Sequence, residues 1–171
     1  MSIVLIGYRG CGKTSIGRKL ADRLWQPFVD TDDVVVKKAG KGIKDIFEQD
    51  GEERFRQIEA EAVKEVAQLQ EHVIALGGGG ATRPENVKVL RDAGHKLIYL
   101  RCEPDELFKR IQADPNSAST RPALTAQGGG IAEIKAVMAE REPAYRAAAQ
   151  AELDVTHLSV DEALVYVTRL A

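Results

Sequence analysis

A glycine-rich segment near the N-terminus has the residue types that bind phosphate groups. Residues 7–14 read Gly-Tyr-Arg-Gly-Cys-Gly-Lys-Thr and match the pattern G-x-x-x-x-G-K-[ST] at every fixed position. An apolar run, Ile3–Ile6, precedes the segment, and a pattern with helical spacing follows it. This order directs backbone N–H groups and a positive helix end at one point. Lys13 would reach the β- and γ-phosphates and Thr14 would help to hold Mg²⁺, so the segment predicts binding of a nucleoside triphosphate.

Aspartates follow the second predicted strand, Phe28–Asp30. On an extended chain Asp30 and Asp32 would point the same way, because side chains alternate with period 2. The carboxyl ends of strands in one parallel sheet lie together, so one carboxylate could face the Mg²⁺ shell and the next an acceptor hydroxyl. Aspartates at a strand end are also common helix caps, and Asp33 is the one predicted to act only as a cap.

Two arginines lie on predicted helices. Arg56 and Glu59 are three residues apart and can pair with each other. Arg141 falls on an apolar stripe that also contains Ile134, Met138 and Tyr145, so it occupies a place where a core residue is expected. A buried guanidinium needs an anion, which is either an internal carboxylate or a ligand. Pro143 is expected to kink this helix.

Two further segments are rich in glycine. Gly77–Gly80 follows the apolar run Val73–Leu76, and four glycines would let a ligand approach the backbone closely, with a simple flexible turn as the alternative. Residues 114–130 are polar and small, and a loop of this length is usually functional or disordered. The one basic residue of this segment is Arg121. The segment is either a surface linker or a mobile lid that carries this arginine to the phosphates.

The remaining pattern indicates the fold class. Apolar runs at 3–6, 73–76 and 97–100, with weaker strand candidates at 28–30 and 153–155, alternate with helical patterns. This alternation predicts a parallel sheet with right-handed crossovers. The last helix should begin at Ser159, with Glu162 completing a capping box.

Length and composition limit the kinds of protein. A chain of 171 residues with 44% hydrophobic residues suits one compact domain, 1–171. A formal charge of −2 gives no general attraction to nucleic acid or membrane, and no apolar run approaches the roughly 20 residues that span a bilayer. No signal peptide is visible, so a cytoplasmic protein is expected. Cys11 and Cys102 are too few for a disulfide framework or a zinc site, and Cys11 is expected to be a small side chain in a tight loop.

Taken together, the motifs resemble those of the shikimate kinase family. They occur in the family's order and cover essentially the whole chain: residues 7–14, Asp30-Thr31-Asp32, Phe55-Arg56-x-x-Glu59, Gly77-Gly78-Gly79, Arg121-Pro122 and Arg141-x-Pro143-x-Tyr145. The phosphate loop is shared by many proteins, whereas the motifs on the acceptor side make the resemblance specific. Two departures are the pair Ala123-Leu124 after Pro122, within a longer loop, and a fourth glycine in the turn.

The resemblance implies a reaction and a fold. The reaction is transfer of the ATP γ-phosphoryl group to the 3-hydroxyl of shikimate, in the pathway through chorismate to the aromatic amino acids. The fold is a three-layer P-loop kinase fold of the nucleoside monophosphate kinase type, with a five-stranded parallel sheet in the order 2-3-1-4-5. A monomer is expected, with shikimate as its small-molecule partner and a lid at about 114–130.

The resemblance also implies residue roles. Lys13, Asp32 and Arg121 would be catalytic, with Asp32 orienting or deprotonating the acceptor hydroxyl. The remaining assignments are ATP contacts at Gly10, Cys11, Gly12, Lys13, Thr14, Ser15 and Arg121; shikimate contacts at Asp32, Arg56, Gly77, Gly78, Gly79 and Arg141; and Mg²⁺ ligands, direct or through water, at Thr14 and Asp30. Candidate adenine contacts are Arg110, Thr156 and His157.

Two alternatives remain open. A kinase for another small anionic polyol, such as gluconate, would share the phosphate loop but need not share Arg56, the glycine turn and Arg141. A catalytically inactive nucleotide-binding relative would recognise a partner instead, although the presence of Lys13 and Asp32 argues against it.

Overall fold

The computed structural model describes residues 1–116, 123, 128 and 130–171. The predicted lid at 114–130 lies mostly outside these residues, and Arg121 lies wholly outside them. None of the helices in the described part is both long and apolar enough to cross a membrane.

Five parallel strands form one sheet in the order β2-β3-β1-β4-β5, which confirms the predicted fold class. The strands are β1 Ile3–Ile6, β2 Phe28–Asp30, β3 Val73–Ala75, β4 Lys96–Arg101 and β5 Ala151–Asp154. In the central strand, Val4 aligns with Ile74 of β3 on one side and with Leu97 of β4 on the other. All four residues of β1 are buried, as expected for a strand that helices cover on both faces.

Seven α-helices are found among the described residues: α1 Lys13–Leu24, α2 Thr31–Ala39, α3 Ile43–Val66, α4 Pro84–Asp92, α5 Pro104–Ala113, α6 Ile131–Ala148 and α7 Val160–Leu170. A short 3-10 turn spans Gly80–Thr82. The predicted capping box is present at the start of α7, where Ser159 and Glu162 exchange hydrogen bonds. Helix α6 continues through Pro143 and ends only at Ala148.

Helices α2 and α3 have a small core of their own. Gly51, with φ 85°, divides α3 into two helical stretches. The second stretch buries an apolar stripe that includes Phe55, Ile58, Ala62 and Val66. The residues of this second core are Val35, Ile43, Ile46, Phe55, Ile58 and Ala62. The cluster therefore holds the middle of α3 at a fixed position beside the main core.

A buried histidine joins three segments at the amino edge of the sheet. His95 is 2% exposed; its Nδ1 accepts from the Ser2 N–H at 3.1 Å, and its Nε2 lies 3.0 Å from the Ala67 carbonyl oxygen. A neutral ring with the proton on Nε2 satisfies both contacts. Burial lowers the pKa of His95, because the charged form is poorly solvated there.

We expect acid to destabilise the protein through His95. The unfolded chain binds more protons than the folded chain, so the free energy of unfolding rises with pH. The contribution of His95 is complete above its unfolded pKa of about 6.5 and is lost as the pH falls through the lower folded value. Urea unfolding at about pH 7.5 and about pH 5.5 would measure the difference. His95→Gln should reduce this difference in the free energy of unfolding, whereas His157→Gln, at an exposed position, should leave it unchanged. Equal acid sensitivity in the wild type and in His95→Gln would contradict this assignment.

Candidate active site

The phosphate loop joins the carboxyl end of β1 to the start of α1. Gly7 has a φ of 144°, and a Cβ at this position would lie 2.6 Å from the Leu100 carbonyl oxygen, so only glycine fits. Gly12 precedes α1 without any side-chain cap, which leaves the first N–H groups of the helix available to an anion. Cys11 is fully buried, as expected for a small side chain in a tight loop.

Lys13 folds back onto its own loop. Its Nζ donates to the carbonyl oxygens of Gly7 at 2.7 Å and Tyr8 at 3.0 Å. The Thr14 hydroxyl donates to Asp30 Oδ2 at 2.9 Å. Burial raises the pKa of Asp30, and the neighbouring charge of Asp32 adds to the effect. An ammonium, a hydroxyl and a carboxylate therefore converge at the mouth of the loop.

The first pocket lies along this loop. It is lined by Arg9, Gly10, Gly12, Lys13, Thr14, Ser15, Asp30, Asp32, Leu76, Arg110, Ile111 and Asp114. Five of the six loop residues that the sequence predicted to contact ATP therefore lie together, and the sixth is the buried Cys11.

A shallower depression continues from the first pocket, with Gly10, Gly12, Ser15 and Arg110 in both linings. Arg110 is held in place by a bond to the Val155 carbonyl oxygen at 2.9 Å and by Glu106 at 3.0 Å. Val155 and Leu158, on either side of the candidate pair Thr156-His157, line the depression. The Thr156 hydroxyl is itself occupied by Asp154. Arg110 is thus the adenine candidate that the geometry favours.

The second pocket lies on the other side of Asp32. It is lined by Arg9, Asp32, Ile43, Phe47, Phe55, Arg56, Glu59, Gly78, Gly79 and Arg141. It brings together every predicted shikimate contact except Gly77. That residue lies behind the wall, where a Cβ would come within 2.7 Å of Asp32 Oδ1 and 3.3 Å of Glu59 Oε2. A side chain at position 77 would therefore collide with these two carboxylates, so glycine is needed there.

Arg56 is held by a buried carboxylate. Its Nη1 donates to Glu59 Oε1 at 2.8 Å, which confirms the predicted pair, and Glu59 is only 2% exposed. Burial raises the pKa of Glu59, while the charge of Arg56 lowers it. Because one ion of the pair is fully buried, the pair orients Arg56 far more firmly than an exposed pair could.

Arg141 does not form an ion pair with a carboxylate among the residues that the structure describes. It lies on the apolar stripe of α6 with Ile134, Met138 and Tyr145 buried around it, and its guanidinium faces the second pocket. This favours the second of the two sequence interpretations, in which the anion is a ligand.

The roles predicted for the aspartates need two corrections. Asp33 does not cap α2; Asp30 does, because its Oδ1 accepts from the Asp32 N–H at 3.0 Å. The extended-chain argument for Asp30 and Asp32 was also wrong, because the chain turns into α2 at Thr31. Both carboxylates nevertheless line the first pocket, since the first turn of α2 lies at the carboxyl edge of the sheet.

Sequence reasoning missed several lining residues. Arg9 lines both pockets, but it occupies a variable position of the loop pattern and so gave no signal. Phe47, Phe55 and Ile43 form an apolar wall of the second pocket, and the rings of Phe47 and Phe55 lie 4.6 Å apart. Phe55 belongs to the motif around Arg56, but no contact with the acceptor was predicted for it, because a pocket wall and a core face have the same helical spacing.

A phosphate loop beside a small pocket that is lined by three arginines and two carboxylates defines a kinase for a small anionic acceptor. Comparison with known proteins gives the particular family. The model of the shikimate kinase family matches residues 9–170. The chain belongs to the shikimate kinase family.

Individual shikimate kinases are similar to this chain over nearly its whole length. The shikimate kinase of Rhodopirellula baltica is 42% identical over 169 residues, which are 99% of this chain and 89% of the relative. That of Symbiobacterium thermophilum is 41% identical over 162 residues, 95% of this chain and 91% of the relative. The structure of the Acinetobacter baumannii shikimate kinase in complex with shikimate has a TM-score of 0.90 at 28% identity, covering 99% of this chain and 91% of that one.

Gly79→Ala should damage the second pocket without unfolding the protein. The added Cβ would lie 2.2 Å from Arg56 Nη1, so the flexible end of Arg56 must move away from the pocket. We expect the KM for the acceptor to rise about tenfold or more, by loss of a charge-assisted contact, with little change in thermal stability. Gly42→Ala is the control, since its Cβ would meet only Asp45 at 3.8 Å. An unchanged acceptor KM in Gly79→Ala would show that the position of Arg56 is unimportant.

Proposed function

We propose that this protein transfers the γ-phosphoryl group of ATP to the 3-hydroxyl of shikimate, giving shikimate 3-phosphate and ADP on the route to aromatic amino acids. The observation that carries the proposal is the position of Asp32. It lines both the pocket of the phosphate loop and the pocket that contains Arg56 and Arg141. A carboxylate between a phosphate site and an anion clamp is placed to act on the attacking hydroxyl.

ATP binding requires Lys13 to change partners. The two loop carbonyls that now accept from its ammonium would be exchanged for β- and γ-phosphate oxygens. The loop N–H groups and the start of α1 would hold the phosphates. The adenosine would extend along the depression beside Arg110.

Mg²⁺ fits the oxygen donors beside the loop. Thr14 Oγ1 and Asp30 Oδ2 are hard oxygen ligands only 2.9 Å apart. No cluster of three or more His, Cys, Asp and Glu occurs in the part of the chain described, which suits an ion held by one or two protein groups together with phosphate and water. When bound, the ion would neutralise phosphate charge. Thr14 and Asp30 would hold it, directly or through water, and its charge would favour the ionised form of Asp30.

The charged and apolar lining of the second pocket suits shikimate. Its carboxylate would lie between Arg56 and Arg141, since a guanidinium can grip a carboxylate with two parallel hydrogen bonds. Its ring would lie against Phe47 and Phe55, and its hydroxyls would face Asp32 and the backbone of Gly78 and Gly79.

Asp32 would then orient the 3-hydroxyl and accept its proton as the bond to phosphorus forms. Lys13 and Arg9 lie where negative charge builds up on the transferred group. From the family resemblance we also assign Arg121, outside the described residues, to the transferred phosphoryl group. One chain lines both pockets, so we propose a single-domain monomer, acting in the cytoplasm where ATP is available.

The acceptor is tested by ADP release from ATP and Mg²⁺ with shikimate, with gluconate or with no acceptor. We expect release that depends on shikimate, because a carbocyclic ring offers apolar surface to the wall of Ile43, Phe47 and Phe55 and an open polyol chain offers little. Release that depends on gluconate would establish another acceptor. Binding of nucleotide without release of ADP under any of these three conditions would indicate an inactive relative.

Lys13→Ala should reduce kcat on the order of 10³-fold or more, because it removes charge from the transferred phosphoryl group. The fold should be retained, since Lys13 is the first residue of α1 and lies outside the core. Lys19→Ala on the same helix is the matched control, as Lys19 is exposed and paired with Asp161. Near-normal turnover in Lys13→Ala would overturn the assignment of the phosphate loop.

A further inference from the structure

Tyr145 lies behind the second pocket on α6. It is fully buried, and its ring packs against that of Tyr99 with the centroids 5.1 Å apart. A buried hydroxyl is costly unless it has a hydrogen-bond partner. The position was expected to be part of the apolar stripe of α6, where a phenylalanine would have served equally well.

The Tyr145 hydroxyl connects two parts of the pocket wall. It donates to the Gly78 carbonyl oxygen at 2.6 Å, across 67 residues of sequence. Arg141, one helical turn earlier, lies beside the same turn, with its Nη1 3.5 Å from the position of a Cβ on Gly78. The Tyr145 hydroxyl therefore holds the glycine turn beside which the Arg141 guanidinium lies.

Both of these groups need an external constraint. A run of glycines has unusual backbone freedom, so Gly77–Gly80 would otherwise sample several conformations. A planar trans peptide points the Gly78 carbonyl and the Gly79 N–H in opposite directions, so fixing one fixes the other. An arginine loses considerable rotamer entropy when it is held, and a partner that holds it beforehand removes that cost from binding.

We propose that Tyr145 is a positioning residue for the acceptor, whose hydroxyl fixes the Gly78–Gly79 peptide and, through that turn, the place in which the Arg141 guanidinium lies. This inference rests on the proposed function, because the groups that it positions are the proposed contacts of shikimate. Tyr145 does not itself line the pocket. Burial raises the pKa of its hydroxyl above the usual range, so the hydroxyl stays protonated and can donate at any working pH.

Tyr145→Phe tests the proposal, because it removes the hydroxyl and keeps the ring. We expect the KM for shikimate to rise about tenfold, with the KM for ATP and the melting temperature nearly unchanged. In an Arg141→Lys background the same change should have a smaller effect, since part of the role of Tyr145 passes through Arg141.

Tyr99→Phe is the matched control. Tyr99 is equally buried in the same ring pair, but its hydroxyl has no hydrogen-bond partner among the described residues. We expect its removal to leave both KM values unchanged. A rise in the KM for shikimate in Tyr145→Phe but not in Tyr99→Phe would support the positioning role of Tyr145.

Three results would overturn the inference. A wild-type shikimate KM in an active Tyr145→Phe enzyme would leave the hydroxyl no role in binding. Failure of Tyr145→Phe to fold, or equal KM shifts in both variants, would make the role one of core packing. If the wild-type protein itself shows no release of ADP that depends on shikimate, the proposed function fails first and the inference fails with it.

Discussion

Two anions must lie side by side in this site, and the arrangement of charge follows from that constraint. In the proposed reaction the γ-phosphoryl group lies beside Lys13 and the acceptor carboxylate lies between Arg56 and Arg141, which line adjacent pockets. Like charges a few ångströms apart repel strongly in a partly desolvated pocket unless cations lie around them. Arg9 and Asp32, which face both pockets, occupy the boundary. The parallel sheet makes this possible, because the carboxyl ends of β1, β2 and β3 bring the loop, the first turn of α2 and the glycine turn to one edge.

Fixing arginine side chains in place before a ligand binds costs free energy in the free protein. A few buried polar groups offset this cost. Glu59 pairs with Arg56 inside the pocket wall, and the second core beneath α3 keeps both residues at one place. Arg141 lies beside the glycine turn, whose Gly78 carbonyl oxygen accepts from the Tyr145 hydroxyl at 2.6 Å. Because no carboxylate among the described residues forms an ion pair with Arg141, its charge is left for the substrate. The two arginines therefore have different neighbours, one a buried carboxylate and the other a turn that a tyrosine fixes.

Much of this organisation could be predicted from the sequence. Short apolar runs marked the strands, because a strand covered on both faces is apolar throughout, and the strand order followed from the family resemblance. The charge and placement of Arg141 already pointed to an anion. Side-chain direction after Asp30 could not be predicted, because the turn into α2 depends on a capping bond to the Asp32 N–H. The roles of Arg9 and Tyr145 could not be predicted for a related reason. Their roles come from contacts between distant segments, such as the bond from Tyr145 to Gly78, which no local pattern encodes.

The central claim is that Asp32, between the two pockets, acts on the acceptor hydroxyl, whereas Asp30 serves the metal. Single-turnover kinetics of Asp32→Asn, together with calorimetric titration of Mg²⁺ and a non-hydrolysable ATP analogue, test it most directly. The amide keeps the size of the side chain but cannot accept a proton, so we predict a loss of roughly 10²- to 10⁴-fold in the chemical step with nucleotide affinity retained. A nearly normal rate in Asp32→Asn, with Asp30→Asn the crippled enzyme, would contradict the account and reverse the two roles.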